Sequence, residues 1–210
     1  MKHCVIFGAG DPPQGPVTLP ANALLIAADG GLLTMQKLGL TPDLFVGDRD
    51  SLSVPVPAGV ESVLLPVKKD VTDMDAAAKA GLERGCRAFT LYGGMGGRLD
   101  HTLANITLLA RLSKQGCDAA MTDGITAVYA LTNGTLTLPA RKTGDAAVFS
   151  FTEKSEGVTI EGLLYPLENG TLTADFALGV SNSFCGKAAR ISVESGTLIV
   201  VTRLPAEKEE

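Results

Sequence analysis

The chain has 210 residues, 45% of them hydrophobic and 20% charged, which is material for one large core or two modest ones. A formal net charge of −5 and a pI near 5.1 argue against general binding to a nucleic-acid backbone. No apolar run approaches the roughly 18 to 20 residues of a membrane span. The amino terminus, Met1 to Gly8, enters a short apolar run directly, with no signal-peptide core or cleavage site, so a soluble cytoplasmic protein is expected. Cys4, Cys86, Cys117 and Cys185 are scattered singly, with no Cys-x-x-Cys pair, and read as free thiols without chemistry.

The apolar runs 4–8, 23–28, 44–47, 62–66, 88–92 and 118–122 alternate with helical patterns predicted over 31–38, 75–84 and 99–114. Such alternation predicts an α/β domain with a mostly parallel sheet, assigned to residues 1–124. From residue 125 the pattern changes to short β-type runs punctuated by Asn133-Gly134, Lys142-Thr143-Gly144, Glu156-Gly157, Asn169-Gly170 and Ser195-Gly196. Read as turns, these predict an all-β sandwich over 125–210, with a hairpin at 191–201 closed by Ser195-Gly196.

The most telling stretch is Pro42-Asp43-Leu44-Phe45-Val46-Gly47-Asp48-Arg49-Asp50-Ser51. An apolar strand ends there on two carboxylates, Asp48 and Asp50, two apart and so projecting to the same side at a spacing of about 6 to 7 Å. Two anions so placed call for a hard divalent cation held by oxygen, which points to Mg²⁺ and from Mg²⁺ to phosphate. Upstream, Ala28-Asp29-Gly30-Gly31 is either a plain strand-to-helix turn capped by Asp29 or a ligand position at a strand end.

Asp70-Val71-Thr72-Asp73-Met74-Asp75 is a further acidic cluster at a helix start. Thr72 and Asp75 fit a capping box, although three carboxylates exceed what one cap requires. The preceding Lys68 and Lys69 either pair with phosphate or solvate a strand end.

Tyr92-Gly93-Gly94-Met95-Gly96-Gly97-Arg98-Leu99-Asp100-His101 places four glycines in five residues between a strand and a helix. Backbone without Cβ, free helix N–H groups and the Arg98 fork make a phosphate cradle that includes Gly94 and Gly97. It is not a Walker loop, since no Gly-Lys-Ser/Thr follows, and Gly8-Ala9-Gly10 lacks the third glycine of a dinucleotide fingerprint. His101 and Asn105 share a helical face, and His101 reads as a surface or packing residue more readily than as a base. Gly179-Val180-Ser181-Asn182-Ser183-Phe184 could bond and stack a heterocycle, but physics alone reads it as an ordinary loop.

Taken in order, the motifs at 28–31, 42–51, 70–73, 96–101 with Asn105, and 179–184 resemble the thiamine pyrophosphokinase family, over about residues 4 to 203. The resemblance implies an α/β catalytic domain that binds ATP and Mg²⁺, followed by a β-sandwich that binds thiamine and dimerises. It implies transfer of the pyrophosphoryl group of ATP to the thiamine hydroxyl, giving thiamine diphosphate and AMP. By the same resemblance, Asp48, Asp50 and Asp73 are the Mg²⁺ carboxylates. Asp29, Arg98 and Asp100 line the nucleotide site, with Gly30, Gly94, Gly97 and Asn105 beside them. Ser181 and Asn182 belong to a thiamine-side loop that meets the partner subunit in a homodimer.

A carboxylate such as Asp100 could accept the hydroxyl proton, or positioning alone suffices. Two departures stand out. Some members of the family stack thiamine on tryptophan, and this chain has none, so Phe184 or another apolar residue takes that place. Asp75 adds a carboxylate that could compete with Asp73. Two rival functions share these loops: a Mg²⁺-dependent pyrophosphokinase acting on another alcohol such as a pterin, and a non-catalytic nucleotide- or thiamine-binding module.

Overall fold

A computed structural model describes residues 1–48, 54–66 and 70–203. The expectations placed on Asp50, Lys68 and Lys69 lie outside the described residues. The chain divides into two compact units, Met1–Leu108 with Ala120–Gly124, and Leu109–Ala119 with everything from Ile125 onward.

The first unit is an α/β layer structure. Its strands β1 (His3–Phe7), β2 (Leu24–Ala28), β3 (Leu44–Gly47), β4 (Glu61–Leu64) and β5 (Ala88–Tyr92) pair in the order β5-β1-β2-β3-β4, all parallel. The central strands are apolar without interruption because both faces are covered. On one face, Val5, Phe7, Ala27 and Phe45 pack with Leu32 and Met35 of α1 (Gly31–Lys37). Phe7 stacks on Tyr92 at 5.1 Å between ring centroids. On the other face, Gly81 of α2 (Asp73–Glu83) lies against Cys4 and Phe89, where any side chain would collide. The last helix, α3 (Leu99–Lys114), follows β5 and leads to β6 (Asp118–Thr122).

Chain order sets the functional edge. From β1 the chain steps outward through β2, β3 and β4, then returns through α2 to place β5 on the opposite flank of β1. The reversal makes the carboxyl ends of β1 and β5 a switch point, where an open α/β sheet leaves a crevice.

The second unit is β-rich, with β7 (Thr126–Leu138), β8 (Asp145–Ser150), β9 (Lys154–Glu161), β10 (Leu167–Thr173), β11 (Gly179–Ser183) and β12 (Ala189–Arg203), antiparallel throughout. Its core joins Val148, Val158, Ile160, Leu172, Ile191, Val193, Leu198 and Val200 from four of these strands.

The predicted hairpin at 191–201 does not form. Residues 189–203 are one long strand, and Ser195-Gly196 lies in a bulge where Glu194, Ser195 and Gly196 oppose the single residue Asn133 of β7. Asn133 sits at φ 46° and accepts the Gly196 N–H at 2.9 Å. The bend lets the first half of β12 pair with β9 and the second half with β8. Glu156-Gly157 and Asn169-Gly170 likewise lie inside β9 and β10, the latter at a register shift. Of the five expected turns, only 142–144 connects two strands. Glycine and asparagine supply the left-handed backbone that a bulge needs as readily as the one a turn needs.

Candidate functional site

A cleft of about 580 Å³ opens at the carboxyl edge of the first unit's sheet. Its lining includes three carboxylates: Asp29 just past β2, Asp48 just past β3, and Asp73, the first residue of α2. The cleft is also lined by Gly8–Asp11 after β1, the glycine run after β5, and Arg98, His101 and Asn105 of the α3 entry.

Local chemistry explains the acidic residues. Asp29 adopts φ 46°, a left-handed conformation unusual for a side chain, with its N–H donated to the Val46 carbonyl at 2.9 Å. The N-cap position of α1 is Gly30 rather than Asp29. Gly30 itself packs beside Ala9 and does not line the cleft. At α2, Thr72 caps the helix by accepting the Asp75 N–H at 3.1 Å. Between the two acidic residues of that first turn, Asp73 lines the cleft and Asp75 does not.

The glycine run is shaped first by its own backbone. Gly8 and Gly10 donate their N–H groups to the carbonyls of Tyr92 and Gly93, each at 2.8 Å, and Asp11 donates to Met95 at 3.1 Å. The two loops therefore run on as an extension of the β1–β5 pairing. A Cβ at Gly10 would come within 2.5 Å of the Gly93 carbonyl oxygen, so the close approach requires glycine. Asn105, buried, donates its amide to the Gly94 carbonyl at 2.8 Å and fixes the loop from α3.

Arg98 is exposed and makes a two-point pair with Asp100, Nε to Oδ1 at 3.1 Å and Nη2 to Oδ2 at 2.5 Å. The paired guanidinium holds the Asp100 carboxyl below the usual carboxylate range, and Asp100 does not line the cleft. The two features place Asp100 beside the cleft as the partner of Arg98. They suit a counter-charge that orients the Arg98 fork.

In the second unit, Asn182 is 3% exposed and binds at three points. It donates Nδ2 to the Tyr165 carbonyl at 2.6 Å, and its Oδ1 accepts the N–H groups of Tyr165 and Ser183, both at 2.9 Å. Ser181 beside it sits at φ 62°. Phe184 is in the core of this unit, 4% exposed, with the Arg141 guanidinium 4.8 Å over its ring. Its ring is committed there, which corrects its expected place as the stacking aromatic. Tyr165, held by Asn182, is 64% exposed and lines a groove of about 400 Å³ with Ser181 and Asn182.

Asp48 and Asp73, and Asp29 with them, offer only hard oxygen donors, a set that fits Mg²⁺. Among the described residues, no three acidic, histidine or cysteine side chains are grouped closely enough to hold a metal ion by themselves. Mg²⁺ is commonly bound by one or two carboxylates together with waters and substrate phosphate, so the donors suit a cation that arrives with its nucleotide.

Asp11 is a cleft residue that the sequence motifs did not mark. Its only signal was position, directly after Gly8-Ala9-Gly10 at the carboxyl end of the first strand. Among the described residues, no helix is long and apolar enough to cross a membrane.

Comparison with known proteins agrees with this geometry. The family model for the thiamin pyrophosphokinase catalytic domain matches residues 18–121, and that for the thiamin pyrophosphokinase vitamin B1 binding domain matches 129–198. The thiamine pyrophosphokinase of Bacillus subtilis (strain 168) is 28% identical over 188 residues, covering 86% of this chain and 87% of that protein. A crystal structure of thiamine pyrophosphokinase from Bacillus subtilis superposes with a TM-score of 0.86 at 26% identity, covering 98% of this chain and 100% of that one. A thiamin pyrophosphokinase family protein from Enterococcus faecalis superposes at 0.82 with 27% identity over 98% and 100% of the two chains. Both family models match in sequence order and together span most of the residues, so the chain belongs to the thiamine pyrophosphokinase family.

Proposed function

We propose that the chain's thiamine pyrophosphokinase activity, transfer of the pyrophosphoryl group of ATP to the thiamine hydroxyl, takes place at the cleft of the first unit. The observation that carries this reading is that Asp29, Asp48 and Asp73 line the same cleft as the glycine loop and Arg98.

Asp48 and Asp73, with Asp50, would hold Mg²⁺, which when bound offsets the charge of the polyphosphate. Arg98 exchanges its contact with Asp100 for phosphate oxygens, its planar fork matching them at two points. Asn105 keeps the glycine loop open by its bond to Gly94. No covalent nucleophile is required, because attack on the β-phosphorus needs alignment and charge neutralisation. In the second unit, Ser181, Asn182 and the ring of Tyr165 form the thiamine side, with Tyr165 in the stacking place first expected of Phe184.

The chain acts as a cytoplasmic homodimer in which the 179–184 loop of one protomer completes the cleft of its partner. A twofold dimer then carries two equivalent sites, each drawing on both chains.

Incubation with ATP, Mg²⁺ and thiamine should yield AMP and thiamine diphosphate in equal amounts. ADP with thiamine monophosphate, or transfer only to a pterin alcohol, would overturn the assignment. For the shared site, mixing an inactive Asp48→Asn chain with an inactive Asn182→Ala chain should restore about a quarter of wild-type activity per site after full exchange, since about half the dimers are mixed and each carries one intact site. Exchange without recovery would place each site within one chain.

A further inference from the structure

We infer that Asp11 reads the ribose of the nucleotide, its carboxylate accepting hydrogen bonds from the 2′- and 3′-hydroxyls. The inference rests on the reading of the cleft as the ATP site.

Asp11 is fixed by its backbone. Its N–H is bonded to the Met95 carbonyl, and Pro12-Pro13 follow and restrict the chain beyond it. The carboxylate lies over the glycine loop: Asp11 Oδ1 would be 3.7 Å from a Cβ at Gly97, and a side chain at Gly96 would strike the Asp11 carboxylate outright. The acid is thus held directly against the two residues that precede Arg98. Among the described residues, no lysine, arginine or histidine pairs with it, in contrast to Asp100, whose oxygens are both occupied by Arg98.

A carboxylate that repels phosphate, yet sits one step from the arginine that would bind it, needs a ligand group that donates. ATP carries two such groups, the ribose diol and the adenine amine. The adenine edge alternates a donor with an acceptor nitrogen, which an acceptor-only carboxylate would oppose and an amide would match. Two vicinal hydroxyls present two donors to two oxygens. Ribose is also joined to the first phosphate, which agrees with Asp11 and Arg98 being neighbours across Gly96–Gly97.

The test is calorimetric binding of AMP, 2′-deoxyAMP and 3′-deoxyAMP to the full chain and to Asp11→Ala and Asp11→Asn, with circular dichroism confirming folding. Asp11 is exposed, so both variants should fold. Wild type should bind AMP about tenfold more tightly, or better, than either deoxynucleotide, the range of a hydrogen bond to a charged group. Asp11→Ala, which loses both bonds where each deoxynucleotide loses one, should bind AMP no more tightly than wild type binds the deoxynucleotides and show no preference among the three, with Asp11→Asn between. An unchanged preference in both variants would overturn the inference while leaving the cleft as the nucleotide site. An altered response to Mg²⁺ with the preference intact would do the same and make Asp11 a metal residue. Failure of wild type to bind AMP at all would remove the nucleotide reading and this inference with it.

Discussion

The two units use the same residue types for opposite purposes. In the first, glycine and aspartate gather where strands end, and the backbone freedom they supply opens a cleft at the sheet edge. In the second, Asn133, Gly157, Asn169 and Gly196 lie inside strands, and the same freedom bends the strands so that β12 serves two sets of neighbours. A left-handed residue marks a change of chain direction; whether the strand stops there or continues is decided by pairing far away in sequence.

The largest expected effect lies in the first unit. Asp73→Asn keeps the size and helix position of the side chain but removes a charge from the cleft. Thr72, which supplies the α2 cap, is untouched. Turnover should fall at least about a hundredfold if that charge contributes a few kcal/mol to the transition state, while the thermal midpoint changes little. Near-normal turnover at ordinary Mg²⁺ concentrations would take Asp73 out of the site, and its carboxylate would then be no more than a helix-start feature.

A smaller effect is expected in the second unit. Tyr165→Ala should raise the KM for thiamine about tenfold, the order of magnitude of aromatic stacking on a heterocycle, and leave the KM for ATP unchanged. Phe184→Leu should instead lower stability by about 1 kcal/mol through the core and leave the thiamine KM alone. If the two variants exchanged these behaviours, the exposed Tyr165 would be a bystander and the core position of Phe184 would need another explanation.

The contrast also separates what was legible in the sequence from what was not. Strands β1, β2, β3 and β5 of the first unit are largely buried, so they read as apolar runs, and their ends could be placed within a residue or two. Asp29, Asp48, Asp73, Gly94, Gly97, Arg98 and Asn105 were legible because their chemistry hangs at those ends, and all seven line one cleft. Asp100 stands beside it instead, because its carboxylate is spent on Arg98. Asp11 escaped notice because a single acid in a proline-containing loop has no pattern; only the loop pairing after β1 and β5 gives it a place. In the second unit the composition announced β structure, but the long partners that turn a turn signal into a bulge could not be read from local residues.

The smallest effect, and the one that tests the bulge reading directly, compares Gly134→Ala with Gly196→Ala. If Asn133-Gly134 closed a type I′ hairpin, both residues would need positive φ and alanine at 134 would be strained. In the bent strands only Asn133 has it; Gly134 does not, and the nearest atom to a Cβ there is the Thr132 carbonyl oxygen at 3.5 Å, an ordinary contact. Gly134→Ala should therefore change stability by less than about 0.5 kcal/mol. Gly196 lies at φ 122°, and a Cβ would meet Ser155 Oγ at 2.6 Å and the Ser155 Cα at 2.8 Å. Ser155 cannot withdraw cheaply, because its hydroxyl is buried and shared with Ser150 at 2.7 Å and with the Thr197 carbonyl at 3.3 Å. Gly196→Ala should cost about 1 to 3 kcal/mol, read as a lowered midpoint in thermal or urea unfolding. Equal losses at the two positions would favour two turns over one bent strand pair, and the junction of β12 with β8 and β9 would have to be rebuilt.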